Sequence, residues 1–272
     1  MELKLFQVDA FASKPFQGNP AAVIPLQSWL PEAQMQAIAM ENNLSETAFF
    51  TPATGRGEGH YDLRWFTPTV EVDLCGHATL ASAFVIFTYL KPSAQKVTFH
   101  TKSGPLTVTR EEKMLAMSLP ARPVKSKLPA PFVEELHRTL RVKPKDAFQA
   151  PYPLVVLESE TDLRKVAVTP GMAAMLTKYG ESGLIVTAHG DGSAGYEVVS
   201  RFFAPGKGID EDPVTGSAHC TIVPYWAKEF GKNDIVCFQA SKRGGFLRCT
   251  LSSPNVIMRG TCAPYLVGLM TI

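Results

Sequence analysis

The sequence predicts an α/β (α+β) protein made by duplication: two similar domains, each a curved, β-barrel-like sheet around one central helix. Three observations carry that prediction. A pair of motifs recurs at a separation of 137 to 140 residues in a chain of 272. Each copy runs into a mostly apolar stretch, and short strand-like runs surround both stretches. A repeat this long is no solenoid unit, so it marks two related domains.

The first copy is Arg64-Trp65-Phe66-Thr67-Pro68 followed by Cys75-Gly76-His77-Ala78-Thr79. The second is Arg201-Phe202-Phe203-Ala204-Pro205 followed by Thr215-Gly216-Ser217-Ala218-His219. The arginines are 137 residues apart and the glycines 140, so the second loop holds three extra residues. A fainter echo sets Ser45 to Thr51 against Glu181 to Thr187. Between the copies, SLPARPVKSKLPAP at 118–131 has four prolines and reads as a linker. Domain boundaries fall at 1–122 and 128–263, with the last strand, about 264–272, a candidate to complete the first domain.

Along the first half, Leu3 to Phe11 alternates imperfectly and reads as a strand. Gly18 to Ala22 reads as a turn in which Asn19 is the cap, with substrate binding as its other role. Pro31 opens a helix to Asn42 that places Met35, Ile38 and Ala39 on one face. Thr47 to Phe50 and Leu63 to Phe66 are strand-like, and Lys96 to Val108 forms a hairpin turning near Gly104-Pro105. In the second half, helices are expected at Phe132 to Leu140 and Gly171 to Tyr179. Strands are expected at Leu184 to Thr187, Tyr196 to Phe203, Ile235 to Gln239 and Phe246 to Leu251, with Arg243-Gly244-Gly245 as a turn. The stretches after Gly76 and Gly216 are apolar on all faces, so each helix must be surrounded.

Composition narrows the function classes. Apolar residues make up 45% and charged residues 19%, which is globular rather than disordered. Lys+Arg 27 against Asp+Glu 25 leaves a net charge of +2, too balanced for a nucleic-acid or polybasic membrane surface. Leu74 to Leu90 carries no Lys, Arg, Asp or Glu but contains His77 and falls short of the roughly 18 residues of a membrane span. The N-terminus lacks a signal-peptide core, and five cysteines without a CxxC pair read as reduced thiols in a cytoplasmic protein without a metal.

Chemistry is expected at the two helix entrances. Four unpaired N–H groups make a helix N-terminus a receptor for carboxylate or phosphate, and Gly76 and Gly216 let backbone approach a ligand. The plainer reading is that both glycines merely allow tight entry. Asp212 doubles as a turn residue before Pro213, Ser217 as an N-cap and His77 as a core histidine. Glu46, at the entry to a strand rich in phenylalanine, is either an exposed edge acid or a group suited to taking up and returning a proton. Cys75 raises a two-thiol racemase mechanism. Its repeat partner is Thr215, and Cys220 lies a turn further in, so the symmetric thiol pair is missing.

DAFASKPFQGNPAAV, NLSETAFF, LRWFTPTVEVDLCGHATLASA and SRFFAPGKGIDEDPVTGSAH, in order from Asp9 to about Trp226, resemble the signature segments of the PhzF-like family. The basic turn SKRGGFL follows them. The wording is most similar to phenazine-biosynthesis-like domain proteins of animals and bacteria. The resemblance implies a diaminopimelate-epimerase-like duplicated fold, an active site in the interdomain cleft and a homodimer. It implies a cofactor-free isomerase acting on a small carboxylate, in the family enzyme a cyclic dihydro-hydroxyanthranilic acid. By motif position Glu46 is the acid/base, with His77, Asp212 and Ser217 supporting it. The substrate carboxylate would lie on backbone near Gly76 and Gly216. A Cys75-dependent racemase and a non-catalytic binding protein are the alternatives.

Overall fold

The computed structural model describes residues 1–272, the side chain of Lys207 excepted, and the chain divides into two compact units. The first comprises Met1–Ser118 and Met258–Ile272, the second Leu119–Ile257.

The first unit opens with β1 (Glu2–Ala10), β2 (Asn19–Pro25), α1 (Glu32–Asn42), β3 (Glu46–Pro52), β4 (His60–Phe66) and β5 (Glu71–Val72). It continues with α2 (Gly76–Val85), a π-helical turn (Ile86–Leu90), β6 (Lys96–Thr101), β7 (Gly104–Glu111) and β8 (Met114–Pro120). β1 lies antiparallel to β2, β2 parallel to β3, and β3 antiparallel to β4. β4 then pairs parallel with β6, which forms a hairpin with β7.

Asn19 does not sit in a turn. It opens β2, and the reversal lies upstream, where Phe16 and Gly18 take φ of 72° and 63°. A Cβ at Gly18 would fall 2.0 Å from the Ala10 carbonyl oxygen, so only glycine fits this close crossing.

α2 is the surrounded helix. Its residues from His77 to Val85 are buried except Phe84, and it packs on β1, β2 and β3. On the opposite face of the sheet, Met35, Ile38 and Ala39 of α1 join Ile24, Leu26, Phe49 and Phe66. Burying each large side chain contributes about 1.5–3 kcal/mol before chain entropy is counted.

The second unit contains α3 (Ala130–Leu140), β9 (Asp146–Phe148), β10 (Leu154–Val156), α4 (Glu160–Lys165), α5 (Pro170–Lys178) and β11 (Leu184–His189). There follow β12 (Val198–Ala204), β13 (Ile209–Asp212), α6 (Gly216–Phe230), β14 (Asp234–Gln239), β15 (Gly245–Ser252) and β16 (Asn255–Gly260), whose residues from Met258 on belong to the first unit. Its pairings repeat those of the first unit: β9 with β10 antiparallel, β10 with β11 parallel, β11 with β12 antiparallel, β12 with β14 parallel. Helices α3, α4 and α5 cover one face through Phe132, Leu136, Leu163, Met172 and Leu176. α6 is the buried counterpart of α2.

The stretch read as a linker is partly structured at both ends. Ser118 to Pro120 finish β8, and Ala130-Pro131 begin α3. Its middle also completes α6. Pro224 has no N–H to give the Cys220 carbonyl four residues back, and the Arg122 N–H fills that acceptor at 2.8 Å.

β17 (Cys262–Thr271) returns to the first unit and runs antiparallel to β1, from Glu2 opposite Thr271 to Ala10 opposite Cys262. Among the described residues, no helix is long and apolar enough to cross a membrane.

Candidate active site

The first unit brings four of the singled-out side chains together. Glu46 is the first residue of β3, level with Ala21 of β2, and His77 is the second residue of α2. The Oε2 of Glu46 lies 3.1 Å from Nε2 of His77. That contact is close but not aligned as a hydrogen bond, and both atoms are buried without a hydrogen-bond partner. On the other side of the ring, Nδ2 of Asn19 lies 3.2 Å from Nδ1, and Sγ of Cys75 lies 3.5 Å from it.

The local fold explains the convergence. Thr47 to Thr51 are all buried, which fixes the start of β3 inside the unit, while Glu46 stays partly open. Thr79 donates through Oγ1 to the Cys75 carbonyl and pins the turn from which His77 projects.

With an amide nitrogen donating to Nδ1, the neutral ring holds its proton on Nε2, the nitrogen nearest Glu46. Burial favours the uncharged ring, but Cys75 and the Glu46 carboxylate outweigh it and hold His77 well above the usual histidine value. Of these two, Glu46 is the lasting cause, because burial first and Glu46 second push the Cys75 thiol up to about 11 and keep it protonated. To serve a doubly protonated ring, Asn19 has to turn its amide and offer Oδ1.

Glu46, Cys75 and His77 also place one O, one S and one N donor within 4.8 Å of one another, the spread of a cation site. The two ring nitrogens, however, face different partners. Glu46 and Asn19 thus stand at opposite nitrogens of one imidazole ring, Glu46 at Nε2 and Asn19 at Nδ1.

In the second unit the corresponding loop is strapped by Gln239, which sequence reasoning passed over. Its Oε1 accepts from the Thr215 N–H at 2.8 Å, and its Nε2 donates to the Asp212 carbonyl at 2.7 Å and to Oγ1 of Thr215 at 3.1 Å. Thr215 in turn donates to the Asp212 carboxylate. The repeat could not have revealed Gln239, because the ladders place Thr101 at the matching position of the first unit. Thr215, not Ser217, occupies the N-cap position of α6, and Ser217 is half-buried in its first turn. Gly76 and Gly216 each begin their helix.

The repeated arginines prove to be the same device twice. Arg64 grips Glu71 at 2.7 and 2.8 Å, and Arg201 grips Glu211 at 2.7 and 2.8 Å. Each fork ties a strand to the hairpin that leads into a central helix. The three extra residues of the second loop fall between Arg201 and Glu211.

Ladder register also corrects the faint echo by one residue. Phe49 stands opposite Arg64 and Val186 opposite Arg201. Glu46 therefore matches Gly183, so the acid exists in one copy only.

The sequence profile of the family described as phenazine biosynthesis-like protein matches residues 8–268. The chain belongs to this PhzF family. A relative from Pseudomonas aeruginosa described as an uncharacterized isomerase is 45% identical over 270 residues, 99% of each chain. The crystal structure of a PhzF-family protein from Enterococcus faecalis aligns over 100% of both chains with 41% identity and a TM-score of 0.91. A hydroxyproline epimerase from Agrobacterium vitis, 10% identical, aligns over 99% of this chain and 92% of its own with a TM-score of 0.60. That last likeness shows the shared epimerase-like fold, as the duplicated sequence predicts.

Proposed function

We propose that this PhzF-family protein is a cofactor-independent isomerase that moves a proton between two carbons of a small carboxylated substrate, with Glu46 as the acid/base. The observation that carries the reading is the Glu46–His77–Asn19 chain, in which the Oε2 of the carboxylate is buried without an aligned hydrogen bond. In the first step the Glu46 carboxylate takes a proton from carbon, and the electron pair passes into the substrate's conjugated system. In the second, the carboxylic acid returns the proton at another carbon, so the product is an isomer and Glu46 is regenerated. His77 keeps an N–H directed at the carboxylate, and Asn19 holds the ring. Asp212, Ser217 and the Gly76 and Gly216 N–H groups are assigned to orienting the substrate and its carboxylate.

The relatives' description as isomerases supports the reaction class. The raised Cys75 thiol speaks against the racemase alternative, which needs a thiolate. The test is turnover of a dihydro-hydroxyanthranilic acid in deuterated water, followed by NMR. Solvent deuterium should enter the ring, and Glu46→Gln should lower the rate by roughly 10²–10⁴-fold while leaving substrate binding intact. A fully active Glu46→Gln variant removes Glu46 from the mechanism. Deuterium at an amino-acid α-carbon that is lost in Cys75→Ser would instead establish the racemase.

A further inference from the structure

The Asp212–Thr215–Gln239 cluster at the entrance of α6 has no counterpart in the first unit. The ladders match Asp212, opposite Phe202, with Val72, opposite Trp65, and they match Gln239 with Thr101. The loop motifs match Thr215 with Cys75. Thr101 gives its hydroxyl hydrogen to the Gly104 carbonyl of its own hairpin. α2 nevertheless begins at Gly76 as α6 begins at Gly216, so a helix entrance of this kind folds without the cluster. The second loop also has another anchor. Oγ of Ser241 donates to the Pro213 carbonyl at 2.8 Å and accepts from the Gly244 N–H at 3.1 Å. Complete burial of Gln239 with all its contacts on this loop therefore calls for a reason beyond folding.

That reason lies in the direction of one hydroxyl. A threonine hydroxyl has a single hydrogen to give, and an amide nitrogen can only donate. Nε2 of Gln239 thus fills a lone pair of Thr215 Oγ1 and leaves its hydrogen for the Asp212 carboxylate. Thr215 stands at the N-cap of α6 yet makes no side-chain cap bond, because its hydroxyl serves Asp212 instead. We infer that Gln239 is a positioning residue for substrate binding: through Thr215 it fixes the half-buried Asp212 carboxylate in the orientation that meets substrate. This rests on the assignment of Asp212 to substrate orientation in the isomerase reading.

Steady-state kinetics and calorimetric binding of anthranilic acid to the intact protein supply the test. Gln239→Met keeps length and shape but frees the Thr215 hydroxyl. KM and the anthranilate Kd should each rise about tenfold, with kcat changed by no more than about twofold. Thr215→Val should do the same and Thr215→Ser should keep wild-type values. The double variant Gln239→Met/Thr215→Val should bind no worse than Thr215→Val alone, since both changes remove one contact. Losses that add in the double variant, equal values for Thr215→Val and Thr215→Ser, or wild-type KM and Kd in Gln239→Met would each overturn the inference. Should Gln239→Met fail to fold, the comparison of Thr215→Val with Thr215→Ser decides. Anthranilate binding without turnover would remove the isomerase reading and leave the Kd comparison standing, whereas turnover with unmoved KM and Kd would remove the role of Gln239 alone.

Discussion

Replacing His219 with threonine isolates the energetic cost of a histidine buried without a charged partner. His219 is fully buried in α6; its Nδ1–H donates to the Thr215 carbonyl at 2.8 Å, and its Nε2 has no hydrogen-bond partner. Burial holds its pKa down at about 4, against a weaker upward pull from the Thr215 carbonyl. In the unfolded chain the same ring takes up its proton near 6.5. Between those two values the unfolded state binds more protons, so stability rises with pH across this window. The contribution is fully present above about 6.5 and is lost as the pH falls to 4, amounting to about 3 kcal/mol.

Threonine is the informative replacement because Thr79, at the matching position of α2, makes the same bond four residues back, to the Cys75 carbonyl. His219→Thr should keep that bond, leave a void that costs about 1–3 kcal/mol at every pH, and abolish the pH-dependent part. Urea unfolding of both proteins across this pH range gives the difference directly, since the carboxylates they share cancel. The variant should be less stable at neutral pH and approach the wild type in acid. Parallel stability curves would refute the assignment of a buried neutral His219.

Three further outcomes are expected. Asn19→Ala removes the hydrogen-bond partner of Nδ1 of His77 and should lower kcat by about 10–100-fold with little change in KM, shifting the pH–rate profile; an unchanged profile would release Asn19 from positioning the ring. Gly18→Ala meets the Ala10 carbonyl at φ 63° and should destabilise by several kcal/mol. Gly57→Ala, at φ 80° in open space, should cost only about 1 kcal/mol, and equal losses in thermal melts would contradict the close-crossing argument. Glu71→Gln should cost about 1 kcal/mol in urea unfolding near neutral pH and nothing in strong acid. The Arg64 hydrogen bond holds Glu71 down at about 2, so its contribution exists above the ordinary carboxylate range and is lost as the pH falls toward 2.

What was legible in the sequence follows physical lines. The central helices could be read because a run apolar on every face has one solution, enclosure. α1 could be read because Pro31 and the spacing of Met35, Ile38 and Ala39 are local signals. β2 was hidden because NPAAVIP begins and ends among turn-forming residues, although its middle is wholly buried. Short strands such as β9 and β10 span three residues each, too few for any period to show. The last strand could be offered as a candidate to complete the first domain, but its register against β1 joins chain ends some 260 residues apart, and no local pattern encodes that register. Glu46, His77 and Asn19 could be named from motifs, but their order along one imidazole ring comes only from the fold.

The duplication makes the electrostatics of the site comparable within one molecule. α2 and α6 each hold a buried histidine in the first turn, and the two are driven in opposite directions: His77 well above its ordinary value, His219 down to about 4. Burial acts on both in the same sense. The two histidines are not repeat partners, since His77 matches Ser217 and His219 matches Thr79; His77 has Glu46 beside it, and the match of Glu46 in the second unit is Gly183, where an added Cβ would already fall 2.9 Å from the ring of Phe202 and 3.2 Å from Tyr152. Aromatic rings thus occupy the space that the first copy gives to an acid, and the second histidine turns its N–H to the backbone instead. The fold supplies two buried helix entrances; the first sets a carboxylate beside its histidine, and the second leaves His219 to a backbone carbonyl.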